Sequence, residues 1–222
     1  MRRKVSLEEI SDGRLYGRND MVRANCQGCK GCSTCCHGMG ESVILDPYDA
    51  WQLSNGLKQP FASLIGDKIE LQVVDGVILP NLRMKEGTDA CGFLDAQGRC
   101  SIHSFRPGVC RLFPLGRYYA EELGEENFRY FLQVHECPMP NKTKVKISRW
   151  LEIPELEKYE AYIGRWHKFL NFAERRLQEL DEEQARNGNL LIVKLFFLKE
   201  YAPEDFYAQF EARMQIAEEA FS

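Results

Sequence analysis

At 222 residues, with 44% hydrophobic and 11% aromatic side chains, the chain can bury a core without relying on disulfides. Charged residues make up 28% and the formal net charge is −4, which argues against a bulk electrostatic attraction to nucleic acid. The longest strongly apolar run, LLIVKLFFL at 190–198, is broken by Lys194 and is too short to span a bilayer.

The opening MRRKVSLEEISDG is basic, then acidic and polar, with no apolar stretch, so no secretory signal is read and a cytoplasmic location is expected. Within it, Ser6 to Glu9 reads as a capping box that opens a short helix. The cysteine-dense stretch NCQGCKGCSTCCHG follows at 25–38. Asp46 as N-cap and Pro47 at the first helical position then predict a short helix to about Leu53. IELQVVDGVILPNLRM carries two β-rich runs around Asp75-Gly76, a strong hairpin signal. GFLDAQGRCSIH predicts a second small hairpin turning near Gln97-Gly98, and Pro107 a helical turn that aims Cys110. GRYYAEELGEENFRYFLQVHECP predicts a third hairpin with a longer polar loop.

The character changes after Pro154. Leu156, Tyr159, Ile163, Trp166, Leu170, Ala173, Leu177 and Leu180 fall at alternating steps of 3 and 4, one long helical seam. Intramolecular packing is its simplest use, ahead of an oligomeric coiled coil, with Trp166 and Phe169 in a core or interface and His167 at the surface. Asn187-Gly188-Asn189 is expected to end this helix. LLIVKLFFLKEY leans towards helix, and Phe206, Phe210, Met214, Ala217 and Phe221 define one face of a last helix. The expected fold class is α+β: an irregular cysteine-rich metal-binding domain of short helices and small β-hairpins over 1–150, then a helical extension packed on it over 151–222. That extension carries a net charge of −6 against +2 for the rest, and is a candidate surface for a protein partner.

All nine cysteines lie between Cys26 and Cys137. In a reducing compartment such a set points to metal binding rather than disulfides. Thiolates are soft donors suited to zinc and iron–sulfur clusters, and a C-x2-C step lets a tight turn aim two sulfurs at one centre. Three such steps join Cys26, Cys29, Cys32 and Cys35, and Cys36 follows at once. Adjacent side chains in an extended segment point to opposite sides, so Cys35 and Cys36 suit two centres better than one. Cys91, Cys100, Cys110 and Cys137 complete the supply, each at a predicted turn or strand end. Two four-thiolate sites would use eight of the nine. Arg106 and Arg111, with Lys30, are candidate cations behind the sulfurs that offset thiolate charge. His37, His103 and His135 lie near cysteines and could replace a thiolate, although enough cysteines are present without them.

CKGCSTCC (Cys29, Cys32, Cys35, Cys36), followed in order by CGFL at Cys91, CSIHSFRPGVCRLFP through Cys100 and Cys110, and a later Cys137, resembles the YkgJ-type CxxCxxCC family over roughly residues 26–140. That family is regarded as zinc- or iron-chelating and includes the flagellin lysine N-methylases. The resemblance implies that Cys29, Cys32, Cys35, Cys36, Cys91, Cys100, Cys110 and Cys137 bind metal. Cys26 extends the first motif by one step and departs from the usual pattern, and is expected as an extra or alternative metal ligand.

The expected function is therefore a cytoplasmic metal-binding protein with one or two cysteine-ligated centres. The C-x2-C-x2-C run and the Cys137-Pro138 pair favour an iron–sulfur cluster over zinc. A structural zinc scaffold is one alternative. Another is a protein-lysine N-methyltransferase of the flagellin type, which would need S-adenosylmethionine; no strand–glycine-turn–helix signature for that cofactor is present. The sequence leaves open whether the chain is an enzyme. Metal ions are the expected partners, and neither nucleic acid nor a membrane is.

Overall fold

The computed structural model describes residues 6–26, 32–124 and 127–222. In chain order these form α1 (Leu7–Ile10), β1 (Met21–Asn25), α2 (Pro47–Leu57), β2 (Ile69–Val74), β3 (Val77–Leu82), α3 (Gly108–Leu112), β4 (Leu115–Tyr118) and β5 (Arg129–Leu132). Then come β6 (Thr143–Lys146), α4 (Ile147–Leu151), α5 (Leu156–Glu179), α6 (Glu182–Val193) and α7 (Phe206–Phe221). Short antiparallel strand pairs and helices make the fold α+β. The chain divides into two compact units, residues 1–37 with 109–168, and residues 38–108 with 169–222.

In the first unit Ser6 caps α1, accepting a hydrogen bond from the Glu9 N–H at 3.3 Å. The third predicted hairpin forms as β4–β5, with Leu115 opposite Leu132 and Tyr118 opposite Arg129. The segment after α1 runs beside it, the backbones of Tyr16 and Tyr130 exchanging hydrogen bonds of 2.8 and 2.9 Å. A polar network covers this face. The Tyr130 hydroxyl donates to Glu160 at 2.7 Å, and Arg18 bridges Glu160 at 2.8 Å and Glu157 at 3.1 Å. Arg117 lies 5.6 Å from the ring centres of both Phe128 and Tyr159. His167 is half-buried and stacks flat on Tyr119, with ring centres 3.6 Å apart. β1 pairs antiparallel with β6, a contact between residues more than a hundred positions apart that no local pattern announced.

In the second unit Asp46 and Asp49 cap α2 reciprocally, and the helix runs one turn past the expected end, to Leu57. Gly56 permits this turn to pack, because a Cβ there would lie 2.4 Å from the Phe105 ring. β2 and β3 pair in full register around Asp75 and Gly76, both at positive φ (50° and 86°), as the two-residue hairpin requires. The second predicted hairpin is not a strand pair. It reduces to a tight turn closed by one bridge, Leu94 to Cys100, because the Asp95 carboxylate captures the Gln97 and Arg99 N–H groups at 2.9 and 2.7 Å.

The long seam is α5, but it ends at Glu179 rather than at 187–189. Asp181 starts a new helix by capping Gln184 at 2.8 Å, so Asn187, Gly188 and Asn189 sit inside α6. Their local stop signal is overridden by packing: a Cβ on Gly188 would come within 2.9 Å of Leu177. The Asn189 side chain, meanwhile, accepts from the Ile78 N–H at 2.7 Å and donates to Gly76 and Ala185. α5 buries Tyr162 and Phe169 as well as seam residues, a broader stripe than a coiled-coil seam. LLIVKLFFL is helical, as expected, and widens into a π-turn over Lys194–Leu198. All five predicted positions on α7 are buried.

Candidate metal centre

The site begins with the β1–β6 ladder of the first unit. Burial alternates along β1, with Val22 and Ala24 inward, and Cys26 continues the alternation one residue past the strand, only 6% exposed. Between the pairs Val22–Val145 and Asn25–Thr143, β1 spends three steps against two on β6. Such a bulge increases twist and re-aims the strand end. The Asn25 amide donates to the Thr143 hydroxyl at 3.0 Å and locks that end. Because the strands are antiparallel, the chain leaving Asn25 and the chain arriving at Thr143 share one end of the ladder. Cys26 lies on the first and Cys137 on the second. Lys142 donates to the Cys137 carbonyl at 2.8 Å, and Asn141 at φ 54° turns the chain between them.

Cys32, Cys35 and Cys36 lie in and before a 3₁₀ turn, Thr34–Cys36, closed by Cys36 N–H to Ser33 O at 2.8 Å. The Cys32 sulfur lies 3.5 Å from the Thr34 hydroxyl. A cavity within the first unit gathers Cys26, Cys32, Cys35 and Cys137 in its lining, with Thr34, Phe113, Pro114, Pro138, Met139 and Trp150. The indole N–H of Trp150 donates to the Phe113 carbonyl at 3.2 Å and fixes that wall. Four soft donors in an apolar lining without carboxylate or imidazole fit zinc or an iron–sulfur cluster rather than a hard cation. None of the eight described cysteines is in a disulfide. Among the described residues, no three Cys, His, Asp or Glu side chains converge closely enough to hold an ion as they stand. The cavity is thus a lining of donors, not a closed coordination sphere.

The other predicted residues are distributed as follows. Of the adjacent pair, Cys35 lines the cavity and Cys36 does not. Cys110 is on α3, half-buried, and Arg111 beside it is buried, with a guanidinium N–H 3.4 Å from the Glu152 carbonyl. Cys91 and Cys100 belong to the second unit: Cys91 is buried and bridged to Met84, and Cys100 is half-buried at the Asp95 turn. Arg106, in the same unit, directs its guanidinium at the His103 ring, 2.9 Å from Nδ1. His37, His103 and His135 are exposed and do not line the cavity. Cys29 and Lys30 lie outside the described residues.

Sequence reasoning missed the apolar wall of Phe113, Met139 and Trp150, and the strand that delivers Cys26. The second had a signal in the alternation of Val22, Ala24 and Cys26.

The family model CxxCxxCC, described as "Putative zinc- or iron-chelating domain", matches residues 28–138. No solved structure matches the chain. No described helix is long and apolar enough to cross a membrane.

Proposed function

The chain belongs to the CxxCxxCC zinc- or iron-chelating family, and on that premise we propose that it is a cytoplasmic protein whose cysteines hold an iron–sulfur cluster in preference to zinc. One observation carries the reading: four thiols, drawn from three separate stretches of chain, line one apolar cavity. The preference for iron–sulfur rests on the repeated C-x2-C step and on proline following Cys137. Cys32, Cys35 and Cys137 are the cavity's contributors from the matched stretch. Cys29, Cys36, Cys91, Cys100 and Cys110 are proposed as further ligands. Buried Arg111, next to Cys110, supplies positive charge that offsets thiolate charge, and Arg106 is the second candidate for that role. A bound cluster would supply one-electron redox or sensing chemistry; bound zinc would supply a cross-link. The chain's own contribution is to position the sulfurs and keep them among apolar side chains.

The test is anaerobic purification followed by a visible spectrum and elemental analysis. A brown protein with bound iron is expected. A colourless protein carrying zinc would overturn the iron–sulfur preference and leave the structural scaffold, while absence of both metals would overturn the metal-centre reading itself. Thermal stabilisation of the metal-loaded protein by S-adenosylmethionine would instead support the methyltransferase alternative.

A further inference from the structure

Cys26 precedes the family match, which begins at residue 28, so the motif gives it no role. We infer that Cys26 is a metal-binding thiolate and that it shares one centre with Cys137; this rests on the metal-centre reading above. Three observations carry it. Cys26 and Cys137 line the same cavity as Cys32 and Cys35, so the set already reaches the four sulfurs of a tetrathiolate site. Cys26 leaves, and the chain from Cys137 enters, the same end of the β1–β6 ladder, where the Asn25–Thr143 hydrogen bond fixes the strands. The register of β1 shifts by one residue between Val22 and Asn25, a bulge of the kind that re-aims a strand end at functional sites.

The competing explanation is a buried thiol that only fills space, a common use of cysteine. It predicts a different pattern of loss. A ligand shared with Cys137 makes the two residues equivalent in metal content, whereas a space-filling thiol leaves metal content untouched.

The experiment uses the full chain with zinc as probe, because zinc loads without cluster assembly, and measures bound metal after a chelator challenge. Cys26→Ser and Cys137→Ser should each lose about one zinc equivalent, and the double variant no more than either single. Cobalt(II) substitution adds an optical readout: sulfur-to-metal charge-transfer absorbance at this centre should fall in Cys26→Ser. Retention of the full zinc complement by Cys26→Ser while Cys137→Ser loses it would overturn the proposal, as would a double variant that loses twice as much as either single. Failure of the unaltered chain to bind zinc or iron would instead overturn the metal-centre reading. If Cys26→Ser does not fold, alkylation mass spectrometry on the unaltered chain decides. Cys26 and Cys137 should become reactive at the same chelator concentration; a Cys26 rate indifferent to metal removal, with Cys137 responding, refutes the assignment.

Discussion

The two compact units treat their irregular segments in opposite ways. In the second, α6 widens into a π-turn, and the carbonyls left at its end are taken up by Arg213 of α7. That guanidinium donates to Leu195 at 2.9 Å, Lys199 at 2.7 Å and Glu200 at 2.6 Å, and it lies 3.4 Å from the Tyr201 ring centre. A cation only 4% exposed is held entirely by carbonyl dipoles and a π face. Burial lowers its pKa, and Tyr201 works against that shift. In the first unit the 3₁₀ turn at Thr34–Cys36 has no side-chain cap, and four sulfurs line a cavity without converging. One unit closes its irregularity with its own side chains. The other lines its cavity with soft donors that, on the proposed function, a metal would close.

The largest effect expected from this contrast is on metal removal. A site that assembles only on binding couples metal affinity to folding. Stripping the metal should therefore abolish amide-exchange protection along β1 and β6, while α6 and α7 keep theirs. Equal loss along α6 and α7 would break the comparison, since the helices that Arg213 closes would then depend on metal as much as β1 and β6.

Arg213→Met is the converse intervention. It removes three charge-assisted hydrogen bonds and leaves buried carbonyls without their donor, a cost of about 3 kcal/mol. The thermal midpoint should fall accordingly while metal content stays unchanged. A drop in bound metal would show that the two regions are not energetically separate.

These contrasts also mark what could be read in the sequence. The α7 face was legible because Phe206, Phe210, Met214, Ala217 and Phe221 recur at helical spacing, and all five are buried. The β2–β3 turn was legible because Asp75-Gly76 suits positive φ at both positions. Residues 187–189 misled because asparagine and glycine signal a helix end locally, whereas contacts with Leu177 and Ile78 are tertiary. β6 was invisible for a similar reason. Thr143–Lys146 has no buried residue to set a period, and the strand exists through its pairing with β1. The cysteine spacing made the chelating family legible, but the β1–β6 pairing that precedes the shared cavity of Cys26 and Cys137 is not a local property.

Gly56→Ala and Gly188→Ala sharpen how tightly the second unit is packed. At Gly56 the added carbon meets the Phe105 ring at 2.4 Å, and the ring cannot turn aside as a flexible chain end can. The strain of about 1–3 kcal/mol should outweigh the helix-propensity gain of about 1 kcal/mol. At Gly188 the nearest atom is a terminal methyl of Leu177 at 2.9 Å, which can shift, so the two contributions should nearly cancel. Chemical denaturation should rank Gly56→Ala clearly below Gly188→Ala, and the reverse order would contradict the packing described.

The smallest effect concerns the polar face of the first unit, which, unlike its cysteine cavity, is closed by the chain itself. Burial pushes the Tyr130 hydroxyl far above the ordinary tyrosine value of 10.0, and the Glu160 carboxylate that accepts its hydrogen bond adds to the shift. A raised pKa means that the folded state keeps a proton that the unfolded state releases. The stabilisation is therefore complete below pH 10.0 and is lost as pH rises above it towards the folded-state value. Tyr130→Phe should cost about 1 kcal/mol at neutral pH through the lost hydrogen bond. It should also flatten the alkaline decline, so the two proteins converge in stability as pH climbs. Parallel curves would mean that the hydroxyl does not titrate in this network, whereas convergence shows that Tyr130 holds its proton within the Tyr130–Glu160–Arg18 chain of the folded state.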